Sequence, residues 1–160
     1  MMQWMRNVTL TVLCLTLIAC GFHLRGASEF AFTSIFVNGQ TQITKALKKS
    51  ITANGVVVTT DPSQAEMEID LMKEESEKRI LSLSGDGVVR EYELYYRVIY
   101  RTKPAKEALW SQPQTVEARR DFSYSDANLL AKQNEEKQLN LNMQKDVMNN
   151  VIRRLSKLKP

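Results

Sequence analysis

Glu66-Met67-Glu68-Ile69-Asp70-Leu71 alternates strictly between charged and apolar side chains, which is the pattern of a strand with one wet face and one dry face. Downstream, Tyr92, Leu94, Tyr96, Val98 and Tyr100 form one face of a second and clearer strand. Its other face carries Glu91, Glu93, Arg97 and Arg101 together with Tyr95 and Ile99. Between the two, Gly85-Asp86-Gly87 supplies a hairpin turn, because glycine adopts positive φ at little steric cost. Leu81 and Leu83 resume the alternation just before that turn. The stretch Lys73 to Arg79 is polar throughout and reads as a bulged edge or an exposed loop with solvated charges.

On the amino-terminal side, the aromatic-rich run Phe30 to Val37 ends at Asn38-Gly39 and predicts a largely buried strand. Ile43, Ala46, Leu47 and Ile51 follow at helical spacing, the lysines Lys45, Lys48 and Lys49 face elsewhere, and Asn54-Gly55 provides the left-handed stop. Val56 to Thr60 is extended chain, and Asp61-Pro62-Ser63 is a turn. On the carboxy-terminal side, Leu109 to Phe122 predicts a strand interrupted at Pro113, since proline lacks a ladder donor, with Val116, Ala118 and Phe122 inward. From Ser125, a suitable N-cap, to Leu158 there is no glycine or proline, and Met143, Val147, Met148, Val151, Ile152 and Leu155 keep one helical stripe. Arg153, Arg154, Lys157 and Lys159 suit the negative end of that helix. Strand, helix, several strands and a helix, without a βαβα alternation, give an α+β class. The expected architecture is two helices packed on one face of a four-stranded, mostly antiparallel sheet.

The first nineteen residues stand apart: thirteen are apolar, Arg6 supplies a positive start, and Val8 to Ile18 has the length of a signal-peptide core. A membrane-spanning helix would need about twenty apolar residues, so it is the weaker reading. Leu17-Ile18-Ala19-Cys20 is similar to the lipobox of bacterial lipoproteins, which makes Cys20 a lipid attachment point. The competing reading is plain secretory cleavage near Ala19, which leaves Cys20 as an unpaired thiol in an oxidising compartment. Residues 1–19 are therefore expected to be a lipoprotein signal peptide, 20–29 a lipidated tether and 30–160 one α+β domain. The residue after Cys20 is Gly21 and not the aspartate that, in the lipoprotein class, tends to mean inner-membrane retention. The resemblance thus favours the outer membrane, on its periplasmic side.

Composition limits the chemistry. The whole chain holds one histidine, His23, and two cysteines, Cys14 and Cys20. All three precede the expected domain, so histidine-dependent triads, Cys/His nucleophiles and His/Cys metal sites lack their parts there. Gly85 to Gly87 lacks the spacing and following helix of a phosphate-binding loop. The carboxylates lie mainly on wet strand faces. No catalytic residue, metal or cofactor is expected, and the protein is expected not to be an enzyme. The formal charge of +4, or +3 without the leader, is too mild to imply nucleic acid. Binding remains. Arg90 beside the hairpin, Arg119-Arg120 near a strand end and Lys132 are cations able to meet phosphorylated sugar or lipid headgroups, although any one of them alone is ordinarily a solvated charge. Lys132 to Gln138 is entirely polar, so this part of the last helix either projects past the sheet or touches something hydrated.

Ala19-Cys20-Gly21-Phe22-His23-Leu24-Arg25-Gly26, the hairpin followed by Arg90-Glu91-Tyr92, and Arg120-Asp121-Phe122-Ser123-Tyr124 leading to Leu129-Leu130-Ala131-Lys132-Gln133-Asn134-Glu135-Glu136 resemble the LPS-assembly lipoproteins of the LptE (RlpB) family. The likeness runs through the final helix to Arg153-Arg154-Leu155. It implies an outer-membrane lipoprotein that plugs and helps assemble the large β-barrel LptD and binds lipopolysaccharide during its delivery to the outer leaflet. Lys132 falls on the lysine of the family's Ala-Lys-x-Asn-Glu segment, a position associated with lipopolysaccharide contact. Some members carry a basic residue within the hairpin turn where this chain has Gly85 and Asp86, so Arg90 or Arg79 would stand in for it. A periplasmic lipoprotein that binds envelope components without a barrel partner is the alternative.

Overall fold

The computed structural model describes residues 30–160, together with residues 1, 3 and 4; the expected leader cleavage, the lipidation at Cys20 and the tether lie outside the described residues. Strands β1 (Ser34–Asn38), β2 (Val57–Thr59), β3 (Met67–Leu83), β4 (Val89–Pro104) and β5 (Gln114–Ser123) form one sheet in the order β2-β1-β3-β4-β5. Helix α1 (Thr44–Ala53) joins β1 to β2, and helix α2 (Leu129–Leu155) follows β5. The α+β class and the two helices agree with the sequence reading. The strand count and direction do not: the sheet has five strands, with parallel pairs β1–β2 and β1–β3 beside antiparallel pairs β3–β4 and β4–β5. A helical crossover returns the chain to its starting edge in the same direction, so the strand after α1 runs parallel to β1. Only three residues of the extended Val56–Thr60 segment join the sheet as β2.

The alternation of β4 holds in space. Leu94, Tyr96, Val98 and Tyr100 are buried against the helices, joined by Met67, Ile69 and Leu71 of β3 and Val116 and Phe122 of β5. Leu47 and Ile51 of α1 and Met143, Val147, Val151, Ile152 and Leu155 of α2 close the core from one side. On α1, Thr44 is buried and Ala46 exposed, the reverse of what helical spacing implies for Ala46. The Thr44 hydroxyl accepts the Thr41 amide at 3.1 Å, so the buried polar residue at the helix start is satisfied by the turn that precedes it. β1 begins at Ser34, not Phe30; Phe32 is still buried, and Phe30 packs edge-on against it at 5.2 Å. β5 starts directly after Pro113.

A bulge in β3 organises the hairpin half of the sheet. Leu71 pairs with Tyr100 and Lys73 with Ile99, so Met72 is the extra residue and the faces exchange parity there. Up to Leu71 the odd residues face the helices; beyond Met72, Glu74, Ser76, Lys78 and Ile80 do, opposite Val98, Tyr96, Leu94 and Tyr92. β1 ends at Asn38, opposite Asp70, so from Lys73 onward β3 is paired only with β4. A free edge explains why this segment is charged, since charge discourages edge-to-edge pairing. The chain leaves β1 through Gly39 at φ +116°, where a Cβ would lie 2.7 Å from the Leu71 carbonyl oxygen. Glu74 then ties three elements together by accepting the Gln42 amide ahead of α1 and the Tyr96 hydroxyl of β4.

Gly39→Ala is expected to destabilise the fold by about 2–4 kcal/mol, from positive-φ strain plus backbone overlap at Leu71. Urea unfolding checks this, and a midpoint equal to that of the native sequence would contradict it. Burial, reinforced by the Glu74 hydrogen bond, pushes the Tyr96 hydroxyl well above its ordinary value of 10.0. The folded state therefore favours the neutral phenol. Its contribution is complete below about pH 10 and is lost as the pH rises, by roughly 1.4 kcal/mol one unit above that value. Tyr96→Phe is expected to flatten the alkaline fall in stability between about pH 9 and pH 11, with Tyr100, also raised by burial, leaving a residual slope.

Candidate functional site

The two sheet faces differ in kind. On the helix-free face, opposite charges sit beside one another across the strands. Arg101 binds Asp70 at 2.9 Å and Lys103 binds Glu68 at 2.8 Å, with the Trp110 ring 4.6 Å from the Arg101 guanidinium. Arg97 bridges Glu117 at 3.0 Å and Glu75 at 3.8 Å, and Arg119 meets Glu93 at 3.0 Å. Each of these pairs is partly exposed and contributes at most about 1 kcal/mol. Their joint effect is a polar wall without a dominant sign. Arg79 belongs to it: its guanidinium forms two bonds to Glu77 at 2.6 and 2.7 Å and lies 4.6 Å from the Tyr95 ring.

On the helix side, α2 has two halves. Every buried residue of this 27-residue helix lies from Met143 onward. The preceding half, with Lys132 to Gln138, runs opposite the bulged stretch of β3, so two polar surfaces face each other. Of the alternatives left by the sequence, contact with a hydrated surface is the one realised: Lys78 of β3 bonds Glu136 of α2 at 2.6 Å. Between them opens a cleft of about 640 Å³, lined among others by Gln42, Glu74, Ser76, Asn140 and Gln144. The Asn140 Oδ1 is buried there and has no hydrogen-bond partner among the described residues. α2 itself starts four residues after Ser125, whose side chain caps nothing, because a 3-10 turn at Asp126–Asn128 intervenes.

Lys132 lies at the hairpin end of this polar half. Its ammonium donates to the Ser123 hydroxyl at 2.9 Å and to Glu135 at 2.8 Å, and its side chain is only 19% exposed. Arg90 reaches the same end of the sheet, where its carbonyl accepts the Tyr124 amide at 2.8 Å. Its side chain is exposed, and no contact joins it to Lys132 among the described residues. Arg79 faces the other way, on the paired polar wall. Arg120 is engaged with Asp146 of α2. The residue missed by sequence reading is Lys78. Its ammonium lies 4.1 Å from the Tyr92 ring centroid, 5.4 Å from Phe122 and 5.9 Å from Tyr124. Inside a run of mixed charges it looks like solvated surface; the parity change at Met72 is what turns it toward the helix.

Among the described residues no helix is long and apolar enough to cross a membrane. The fold is that of a class of small bacterial lipoproteins. The solution structure of an uncharacterized lipoprotein B from Nitrosomonas europaea is similar at 37% identity and a TM-score of 0.74, over 85% of this chain and 90% of that one. The crystal structure of the rare lipoprotein B from Shewanella oneidensis shares the fold at 22% identity and a TM-score of 0.68, over 76% and 92%. A minor lipoprotein from Acinetobacter baumannii does so at 19% identity and a TM-score of 0.63, over 79% and 92%. A comparison with curated proteins gives no match. The family model for lipopolysaccharide assembly, LptE, matches residues 30–155, and the chain belongs to that family.

Proposed function

We propose that this protein is a lipoprotein of the outer membrane, held on the periplasmic side by acyl chains at Cys20, that plugs and helps assemble the LptD β-barrel and binds lipopolysaccharide on its way to the outer leaflet. In this reading residues 1–19 are a signal peptide, 20–29 the tether and 30–160 the working domain. The role is that of a scaffold and carrier and involves no catalysis, cofactor or nucleic acid. The observation that carries it is the family match over residues 30–155. More than one acyl chain at Cys20 would make the anchoring stable.

Two physical features support the reading. The interior of an outer-membrane barrel is polar and wet. The helix-free face, where Arg97, Arg101 and Lys103 are already paired with acids across the strands, can lie against such a lining with most of its charge compensated. Lys132 offers a hydrogen-bonded ammonium for a lipopolysaccharide phosphate, at the end of the molecule where the hairpin and α2 meet. Arg90 is a second, looser cation at the same end, and Arg79 contributes nothing there because it belongs to the opposite face.

Detergent-solubilised outer membranes from cells at native expression are expected to yield the protein bound to a barrel of much larger mass. Recovery of the lipidated protein alone would leave only a lipoprotein that binds envelope components without a barrel. Purified domain is expected to bind lipopolysaccharide, and Lys132→Asp is expected to weaken that binding about tenfold or more with the fold kept, as circular dichroism checks, a charge reversal at a charge-assisted contact. Unchanged affinity would remove Lys132 from the site. Arg90→Ala is expected to weaken binding by no more than about threefold, because its side chain is not held in place.

A further inference from the structure

We infer that Lys78 is a further cationic contact for the phosphorylated glycolipid, and that Glu136 occupies that contact in the unliganded protein as an internal stand-in for the phosphate. This rests on the lipopolysaccharide reading and extends it to residues that no sequence motif marks. Lys78 and Lys132 stand on different elements, a strand and a helix, yet both reach the last two residues of β5. Lys78 lies 5.4 Å from the Phe122 ring, and Lys132 bonds the Ser123 hydroxyl at 2.9 Å. Each is neutralised by one of two consecutive carboxylates, Glu135 for Lys132 and Glu136 for Lys78.

The surroundings of Lys78 are unusual for a lysine on a charged strand. Its ammonium is gathered over Tyr92, with Phe122 and Tyr124 further out, and its side chain is 34% exposed, so the charge is positioned but open to an incoming group. A ring face holds a cation without satisfying its hydrogen-bonding capacity, since it offers no lone pair. The ammonium therefore keeps donors for an oxygen anion, and Glu136 takes one of them at 2.6 Å. Glu136 is on the surface, 28% exposed, and can turn out into water. A phosphate brings more oxygens and more charge than a carboxylate, so it can displace Glu136 without any change of fold.

A simple strut between β3 and α2 is the competing role for the Lys78–Glu136 pair, and the two roles differ in sign. A strut loosens equally when either partner is removed. A cation guarded by an internal competitor loses ligand when the cation goes and gains ligand when the competitor goes. Binding of purified lipopolysaccharide is measured for the native domain, Lys78→Met, Lys78→Arg and Glu136→Gln, alongside lipopolysaccharide stripped of its phosphates. On intact lipopolysaccharide, Lys78→Met is expected to weaken binding about fivefold, Glu136→Gln to strengthen it about twofold or more, and Lys78→Arg to keep it within about twofold. On the stripped material the four proteins are expected to bind alike. Lys78→Met and Glu136→Gln moving together, Lys78→Arg failing as badly as Lys78→Met, or differences persisting without phosphates would each overturn the inference. A native domain with no affinity for lipopolysaccharide, or Lys132→Asp without effect, would instead reject the reading on which it rests.

Discussion

The pairing of β3 with β4 is the constraint on which the rest of the molecule depends. Seventeen residues of one strand and sixteen of the next run side by side, past the point where β1 has ended. Up to Asp70, β3 lies between β1 on one side and β4 on the other. Beyond it, β3 is an edge. The bulge at Met72 falls at this transition, next to Gly39, whose missing side chain lets the chain turn away from β1 against Leu71. Were Met72 paired as an ordinary strand residue, Lys73, Glu75, Glu77 and Arg79 would continue the odd-numbered series that faces the helices. They would then bring two acids and two cations under α2 and leave Glu74 and Lys78 on the outer face. The bulge at Met72 thus chooses which charges face outward and which face the helices.

That choice also explains why α2 is apolar over only part of its length. A helix packs an apolar stripe where the sheet beneath it is apolar, and from Met143 to Leu155 it covers Val98, Tyr100 and Val116 in a dry core. Toward its amino terminus the sheet offers Glu74, Ser76 and Lys78, so an apolar stripe there would strand those groups against hydrocarbon. Gln133, Glu136, Asn140 and Gln144 answer them in kind. The interface between this half of α2 and β3 is polar, and the cleft with its buried Asn140 oxygen, unpaired among the described residues, is its geometric expression. Polar contacts at partly exposed positions add little stability, so this half of α2 is held more weakly than the half that follows. It is also the half that carries both Lys132 and Glu136.

What the sequence disclosed follows the same division. Where one face is dry, periodicity speaks plainly: the buried series of β4, the inward residues Val116 and Phe122 of β5 and the stripe of α2 are all legible from spacing alone. β2 was legible only as extended chain, because three residues carry no period and its partner is distant in sequence. The first turn of the last helix was misplaced for a comparable reason. Ser125 has the chemistry of an N-cap, but the chain spends Asp126–Asn128 in a tighter turn before α2 begins. Lys132 stood out through its family motif and its polar surroundings. Lys78 did not, since its significance comes from a bulge three-dimensionally defined by Gly39 and from rings on two other strands.

In the proposed reading the two faces divide the labour of lipopolysaccharide assembly. On the helix-free side Arg97, Arg101, Lys103 and Arg119 each meet an acid on a neighbouring strand, which leaves little net field for an anionic ligand and makes the face suited to a broad, hydrated contact. At the hairpin end on the other side, the lysines are also matched with acids, but by single surface glutamates on one helix turn and not by a cross-strand lattice. Breaking one such pair releases a cation without disturbing the sheet. Selectivity for a multiply charged phosphate over the carboxylates abundant in proteins can then arise from competition: only a ligand that binds the lysine better than the resident glutamate gains anything by docking. The cost is affinity, because each bound phosphate must first displace a carboxylate. In the proposed function that cost is useful, since an internal competitor that returns to the lysine speeds release as it weakens binding.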